Sequence, residues 1–143
     1  MIKVSVLGAT GYAGAELVRL LCNHKEVEFS YICSESFAGK PMSEVYKNFR
    51  KVLDKELTSV DVDEIAANSD LVFTALPHGV SKTVIPSLYE KGVKIIDLSG
   101  DFRYDDPKVY EKWYGEPHCN VELMLKAVYG LCELHRDKIK TAE

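Results

Sequence analysis

The sequence predicts an α/β fold, a Rossmann-like doubly wound parallel sheet in three layers, and two observations carry the prediction. Short runs rich in β-branched residues alternate with runs whose apolar residues recur at helical spacing, an order that sets parallel strands between two helical layers. A glycine-rich turn, Gly8-Ala-Thr-Gly11-Tyr-Ala-Gly14, lies where the first strand passes into the first helix, the place where such sheets hold a dinucleotide. The 143 residues fit one domain of this kind and are long enough to bury a core without disulfide or metal staples.

Each element has its own signal. Residues 2–7 are a short apolar run ending at Gly8, a strand. Leu17, Val18 and Leu21 share one face of a helix over 13–22. Phe29, Tyr31 and Ile32 make 28–33 the second strand. The stretch from 34 to 60 is the least regular, with one short helix expected over 43–52. Asp61 is placed to cap a helix whose first turn carries Asp63 and Glu64 and which stops at Ser69-Asp70. Residues 71–76 form the third strand and run into Pro77. Val80, Val84 and Leu88 define a helix that stops at Gly92, and Pro86 inside it is expected to kink or divide it. Residues 93–98 are the fourth strand. Beyond it the pattern weakens to a helical turn or two over 107–114, a strand or helix over 121–128 and a polar helix over 133–140.

Composition narrows the function. Eighteen Lys and Arg against 22 Asp and Glu leave a net charge of −4, which argues against a nucleic-acid partner. No apolar run approaches the ~20 residues of a membrane span, and Gly8 interrupts any signal-peptide core. The expectation is a cytoplasmic protein with no membrane partner. Cys22, Cys33, Cys119 and Cys132 form no C-x-x-C pair and imply no disulfide framework. The His118-Cys119 and Cys132-x-x-His135 pairs lack the spacing of a zinc site, so no metal is expected.

The glycines suit a dinucleotide. Gly8 permits the tight turn, Gly11 lets backbone approach a pyrophosphate, and Gly14 lets helix and sheet pack closely; the free N–H groups of the helix start then favour the anion. Glu35, about twenty residues beyond Gly14, favours NAD, because a carboxylate there bonds the ribose 2′-hydroxyl. Ser34, Ser36 and Lys40 around it suit the 2′-phosphate of NADP instead.

Five stretches, GATGYAGAELVRLL, AGKPMSEVY, TALPHGVS, IIDLSGDFR and VYGLCELHR, stand in the same order as in the N-acetyl-γ-glutamyl-phosphate reductase family. The chain resembles the N-terminal, cofactor-binding part of that family and, more distantly, aspartate-semialdehyde dehydrogenases. The resemblance implies NADP as cofactor, with Thr10, Gly11, Tyr12 and Ala13 around the pyrophosphate and Ser34 and Ser36 near the 2′-phosphate. It sets Leu76, Pro77 and His78 beside the nicotinamide half, although a loop or helix-capping role for His78 is an equal expectation. It also sets Ser99, Gly100, Asp101 and Arg103 on the route to the substrate. Arg103 is expected either to face the substrate's phosphate or, with slightly more weight, to pair with Asp101, Asp105 or Asp106.

Two departures stand out: Glu35 replaces the arginine of the family's Ser-Arg-Ser, which weakens the case for NADP and leaves NAD open, and Cys132 replaces a proline. The family reduces N-acetyl-glutamyl phosphate to the semialdehyde in arginine biosynthesis, through a thiolate that attacks the acyl phosphate and a thioester that accepts hydride. Its nucleophile lies in an N-P-G-C-Y motif that these residues do not contain, and Cys132 is not read as a substitute. Residues 1–143 therefore read as the dinucleotide-binding domain, without the catalytic and substrate domain, of an enzyme whose family is usually homo-oligomeric; alone they are not expected to turn over. A short-chain dehydrogenase fits less well, because Pro107 interrupts the helix that Tyr104 and Lys108 would need to share. A stand-alone, non-catalytic NAD(P)-binding module is the other alternative.

Overall fold

In the structure, a computed structural model that describes residues 1–142, the first strand is the axis of the sheet. In β1 (Ile2–Leu7) the last four residues, Val4 to Leu7, are all buried, which requires cover on both faces and neighbours on both edges. It pairs in parallel with β2 (Val27–Cys33) on one edge and β3 (Leu71–Thr74) on the other, and β4 (Lys94–Asp97) pairs in parallel with β3. The order is β2-β1-β3-β4. The chain thus winds outward in both directions from β1, and a switch point opens between the carboxyl ends of β1 and β3.

Helices cover both faces. α1 (Tyr12–Leu21) presses Val18 onto Val4, Val6 and Ile32. The same cluster takes Met42 from α2 (Met42–Val45), Phe49 from a 3₁₀ turn over Lys47–Phe49, and Leu57. On the other face, α3 (Val62–Asn68) and α4 (Ser81–Glu90) bring Ile65 and Leu88 against Leu7, Val72 and Val93. A third cluster joins Ile85 of α4 to Phe102, Tyr110 of α5 (Pro107–Tyr114), and Leu123 and Met124 of α6 (Val121–Lys126). α7 (Cys132–Ile139) buries no residue, in line with its polar sequence.

Several expectations are met in detail. Asp61 caps α3, its carboxylate accepting from the Glu64 N–H at 3.0 Å. The strand-or-helix stretch over 121–128 resolves as helix over Val121–Lys126, because Asn120 Oδ1 accepts from the Leu123 N–H at 2.9 Å and supplies the cap; Ala127 after it is extended. Others are corrected. The helix expected over 43–52 is split into α2 and the 3₁₀ turn, because Tyr46 between them takes extended backbone (φ −125°, ψ 105°). β3 and β4 end at Thr74 and Asp97, earlier than the strands read over 71–76 and 93–98. Ala75 and Leu98 each donate one more bond, to the Leu7 and Thr74 carbonyls, before the chain turns away.

Pro86 does not divide its helix: α4 runs unbroken from Ser81 to Glu90. A proline at this position has no N–H for the carbonyl four residues earlier, that of Lys82. The Cys119 thiol supplies the missing donor, its Sγ lying 3.2 Å from the Lys82 carbonyl oxygen. Cys119→Ala should therefore cost about 1 kcal/mol of stability. In a Pro86→Ala background, where the backbone itself supplies the donor, that cost should disappear. Urea unfolding of the four members of this cycle measures the coupling.

Candidate functional site

The glycine turn is built on backbone-to-backbone contact. Gly8 has φ +81°, and a Cβ there would overlap the Ala75 carbonyl. A Cβ on Gly14 would overlap the carbonyl oxygen of Gly8. These two glycines are therefore demanded by the fold itself. Gly11 differs: its φ is −71°, which any residue adopts, and the nearest atom to its Cβ would be 3.5 Å away, an ordinary contact. Packing gives no reason for glycine at 11, whereas backbone approached by a ligand does. Gly11 is also the N-cap of α1 and has no side chain to accept from the helix N–H groups, and the first turn carries no acidic residue. Gly11, Tyr12 and Ala13 are exposed. The result is an open, uncompensated helix N-terminus at the switch point, suited to a phosphate group.

The end of β2 flanks this turn. Ser34 is buried, and its hydroxyl lies 2.7 Å from the Thr10 hydroxyl, so these two predicted residues meet. The Tyr46 hydroxyl donates to the Thr10 carbonyl at 2.7 Å and ties the turn to the loop after α2. Glu35 and Ser36 are exposed. The Glu35 carboxylate accepts from the Val60 N–H at 2.9 Å, which commits one of its oxygens to the chain leading into α3.

The loop after β3 forms the opposite wall. Leu76 packs against the second core cluster, and Pro77 and His78 are exposed beyond the strand end. Contact between Gly8 and Ala75 holds this loop against the glycine turn. The His78 ring stacks on Tyr114 with centroids 3.7 Å apart, and its Nδ1 lies 3.0 Å from a carboxylate oxygen of Asp101. Asp101 is completely buried. It accepts from the Gly79 N–H at 3.0–3.1 Å and the Lys82 N–H at 3.1 Å, and the Tyr110 hydroxyl lies 3.3 Å away. Val80, the residue in the N-cap position of α4, makes no side-chain cap. Asp101 thus caps α4 from another part of the chain.

The turn after β4 is held by Asp97, whose carboxylate receives the Thr74 hydroxyl at 2.7 Å and the Ser99 hydroxyl at 2.7 Å. The Ser99 oxygen accepts in turn from the Asp101 N–H at 3.1 Å. A Cβ on Gly100 would overlap the Tyr114 hydroxyl, so its glycine serves close packing. Arg103 is exposed and its guanidinium lies 5.9 Å from the Tyr129 ring centre. The ion pair expected for it is absent: among the described residues neither Asp101, Asp105 nor Asp106 pairs with it. Asp101 is already consumed by α4 and its neighbours. Arg103 instead borders a cavity of about 1110 Å³ that also touches Ala13, Ser99 and Leu98, so the glycine-turn side and the Arg103 side share one space.

The sequence pointed to no role for Tyr46, Lys82 or Glu116, and for Asp101 to a place on the substrate route or an ion pair with Arg103. Lys82 is almost buried and pairs with Glu116 at 2.7 Å, which raises the lysine's pKa. Burial, reinforced by the Asp101 charge, pushes the Tyr110 hydroxyl up. Burial likewise pushes up the thiols of Cys22 and Cys33, which keeps both protonated and unreactive.

A buried carboxylate that caps one helix and an uncapped N-terminus on another, set together at a switch point, define a dinucleotide-binding α/β domain. The sequence profile of the semialdehyde dehydrogenase NAD-binding domain matches residues 3–142, and the chain belongs to that family. It is 55% identical over 140 residues to an N-acetyl-γ-glutamyl-phosphate reductase from Halothermothrix orenii, covering 98% of this chain and 40% of that protein. It is 43% identical to a [LysW]-L-2-aminoadipate/[LysW]-L-glutamate phosphate reductase from Sulfurisphaera tokodaii, covering 100% and 41%. The chain spans about two fifths of the length of these relatives. Among solved structures it resembles an aspartate semialdehyde dehydrogenase with NADP from Candida albicans, with TM-score 0.66, 24% identity and coverage of 75% of this chain and 32% of that one. No described helix is long and apolar enough to cross a membrane.

His118 gives the fold a pH dependence. It is buried; its Nδ1 accepts from the Asn120 N–H at 3.0 Å, and its Nε2 finds no partner among the described residues. Desolvation lowers its pKa below the ordinary imidazole value of about 6.5. As pH falls through 6.5 the unfolded chain therefore takes up a proton that the folded chain refuses, and stability drops. Urea midpoints should fall between pH 7.5 and 5.5, with a smaller fall in His118→Gln. The two kinds of glycine should separate as well. Gly14→Ala should destabilise the fold by about 2 kcal/mol or more, whereas Gly11→Ala should leave the unfolding midpoint nearly unchanged and remove dinucleotide binding.

Proposed function

We propose that residues 1–143 are the NADP(H)-binding domain of an acyl-phosphate reductase that converts N-acetyl-glutamyl phosphate to N-acetylglutamate semialdehyde in arginine biosynthesis. The observation that carries the reading is the uncapped N-terminus of α1, with Gly11 free of any packing demand and open to solvent at the switch point. Identity of 43–55% to phosphate reductases over nearly the whole chain supports the substrate class.

In this reading the N–H groups of Tyr12 and Ala13 hold the pyrophosphate. Thr10 and Ser34, locked to each other, shape the wall toward the adenosine ribose. The Glu35 carboxylate is drawn onto the Val60 N–H, which leaves Ser34 and Ser36 as the groups for a 2′-phosphate and favours NADP. Leu76, Pro77 and His78 border the nicotinamide half, and the bound cofactor supplies the hydride. Ser99 and Gly100 shape the approach from the β4 side. Arg103, without a carboxylate partner, offers its guanidinium to the phosphate of the substrate.

The covalent step belongs to a cysteine outside these residues. Cys22 and Cys33 are pushed toward the thiol form by burial, and the Cys119 and Cys132 thiols lie within hydrogen-bonding distance of the Lys82 and Gly130 carbonyls, at 3.2 and 3.5 Å. The substrate, and assembly with further copies, then concern the longer protein.

Titration of the 143-residue chain with NADPH and NADH, followed by quenching of Trp113 or by calorimetry, tests the proposal. Both should bind, NADPH more tightly, and Glu35→Gln should widen the preference several-fold, because glutamine keeps the Val60 bond and removes the charge. Absence of binding of either at millimolar concentration overturns the cofactor reading. Reduction of an acyl phosphate that survives replacement of all four cysteines overturns the covalent assignment.

A further inference from the structure

The motif AGKPMSEVY, residues 38–46, takes no part in the cofactor reading, yet its last residue reaches the glycine turn. The irregular stretch after β2 is a strap hung on the end of that strand. The Ser34 N–H donates to the Thr58 carbonyl at 2.9 Å, and the Thr58 N–H donates to that of Ile32 at 3.1 Å. Between them the Gly39 and Met42 N–H groups donate to the Leu57 and Lys55 carbonyls at 2.8 and 3.0 Å, and the Leu57 N–H donates to the Lys40 carbonyl at 2.9 Å. Met42, Phe49 and Leu57 sink the strap into the first core cluster. Tyr46 is half-buried against the same cluster, its ring edge-on to Phe49 with centroids 6.4 Å apart. From that seat its hydroxyl donates to the Thr10 carbonyl at 2.7 Å. The N–H of the same peptide group, that of Gly11, donates to the Gly8 carbonyl at 3.1 Å. The Thr10–Gly11 peptide, which leads directly into α1, is therefore pinned at both of its polar ends.

We propose that Tyr46 is a positioning residue for the pyrophosphate subsite: its hydroxyl holds the Thr10–Gly11 peptide in place, so that the open N–H groups at the start of α1 stand ready for the anion. Two effects give the bond its weight. A turn that is ordered before binding does not have to be ordered by the ligand, so less of the interaction free energy is lost on association. The Thr10 carbonyl is also an acceptor with negative partial charge, the wrong sign beside phosphate oxygens, and the Tyr46 hydroxyl keeps it occupied. Tyr46 acts through Thr10. The proposal rests on the cofactor reading above and gives the strap a task within it. Gly11 supplies the space for the ligand, and Tyr46, seated on the core, supplies the fixed frame around that space.

The test is Tyr46→Phe in the 143-residue chain, which keeps the ring against Phe49 and removes only the donor. Affinity for NADPH and for ADP, which both carry two linked phosphates, should each fall about five-fold, the worth of one neutral hydrogen bond. Affinity for adenosine 2′-monophosphate, which has the ribose phosphate and no pyrophosphate, should stay as it is in the unaltered chain. A loss shared equally by all three ligands marks a loosened fold and overturns the proposal. NADPH affinity equal to that of the unaltered chain overturns it too, and both results leave the cofactor reading intact. A second measurement uses no variant and decides the matter if Tyr46→Phe fails to fold. Coupling between a bond and a binding site is reciprocal, so saturation with NADPH should slow exchange of the Tyr46 hydroxyl proton, read by NMR of the chain labelled with ¹³Cζ-tyrosine. Exchange that NADPH leaves unchanged overturns the proposal. A chain that binds neither NADPH nor ADP overturns both this proposal and the cofactor reading.

Discussion

The close approach of backbone to backbone at the glycine turn is the constraint on which the rest of the structure depends. The Gly8 turn lies against the Ala75 carbonyl, and Gly14 lies against the Gly8 carbonyl. The first contact holds the ends of β1 and β3 together, and the second pulls the start of α1 onto the strand it follows. A single methyl at either position would have to displace main chain, which is far stiffer than a side chain. Because α1 is held so near the strand end, its exposed N-terminus stands at the switch point. The Thr10–Ser34 and Tyr46–Thr10 bonds then steady the turn from the β2 side.

Asp101 is the counterpart on the other half of the sheet. α1 is left uncapped and electropositive, whereas α4, beginning just beyond β3, is capped by a carboxylate from the loop after β4. Two helix N-termini near one crevice therefore differ in what they invite. The compensated one has no call on an anion, and the open one does. Burying a charge this completely is costly unless its lone pairs are filled, and here two N–H groups, a tyrosine hydroxyl and an imidazole surround it. The same loop leaves Arg103 without a carboxylate partner, its guanidinium 3.5 Å from the Ser99 carbonyl and exposed beside the cavity that it shares with Ala13.

Much of this was legible in the residues. The four strands, the helix after the glycines and the capped start of α3 follow from local pattern, because burial on a period of two or 3.6 residues writes itself into the order of apolar side chains. Gly8 and Gly14 also read correctly, as the tight turn and the close-packing position. The difference in kind among the three glycines did not: that Gly8 packs on Ala75 and Gly14 on the Gly8 carbonyl, while Gly11 has room for a Cβ, shows only in the folded turn. That Pro86 does not divide its helix was hidden for a similar reason. Its missing N–H is a local fact, but the thiol that replaces it comes from Cys119, 33 residues on.

By itself, then, the sequence determined the alternation of strands and helices, the parallel sheet, and the turn at which a dinucleotide belongs, all properties carried by residues close together in the chain. Tertiary structure alone decided which charges are spent and which are free. It tied Glu35 to Val60, consumed Asp101 at α4, and left Arg103 without a carboxylate partner. A carboxylate's partner is set by distance in space and by the need to fill buried lone pairs, and neither is written in the spacing of residues along the chain.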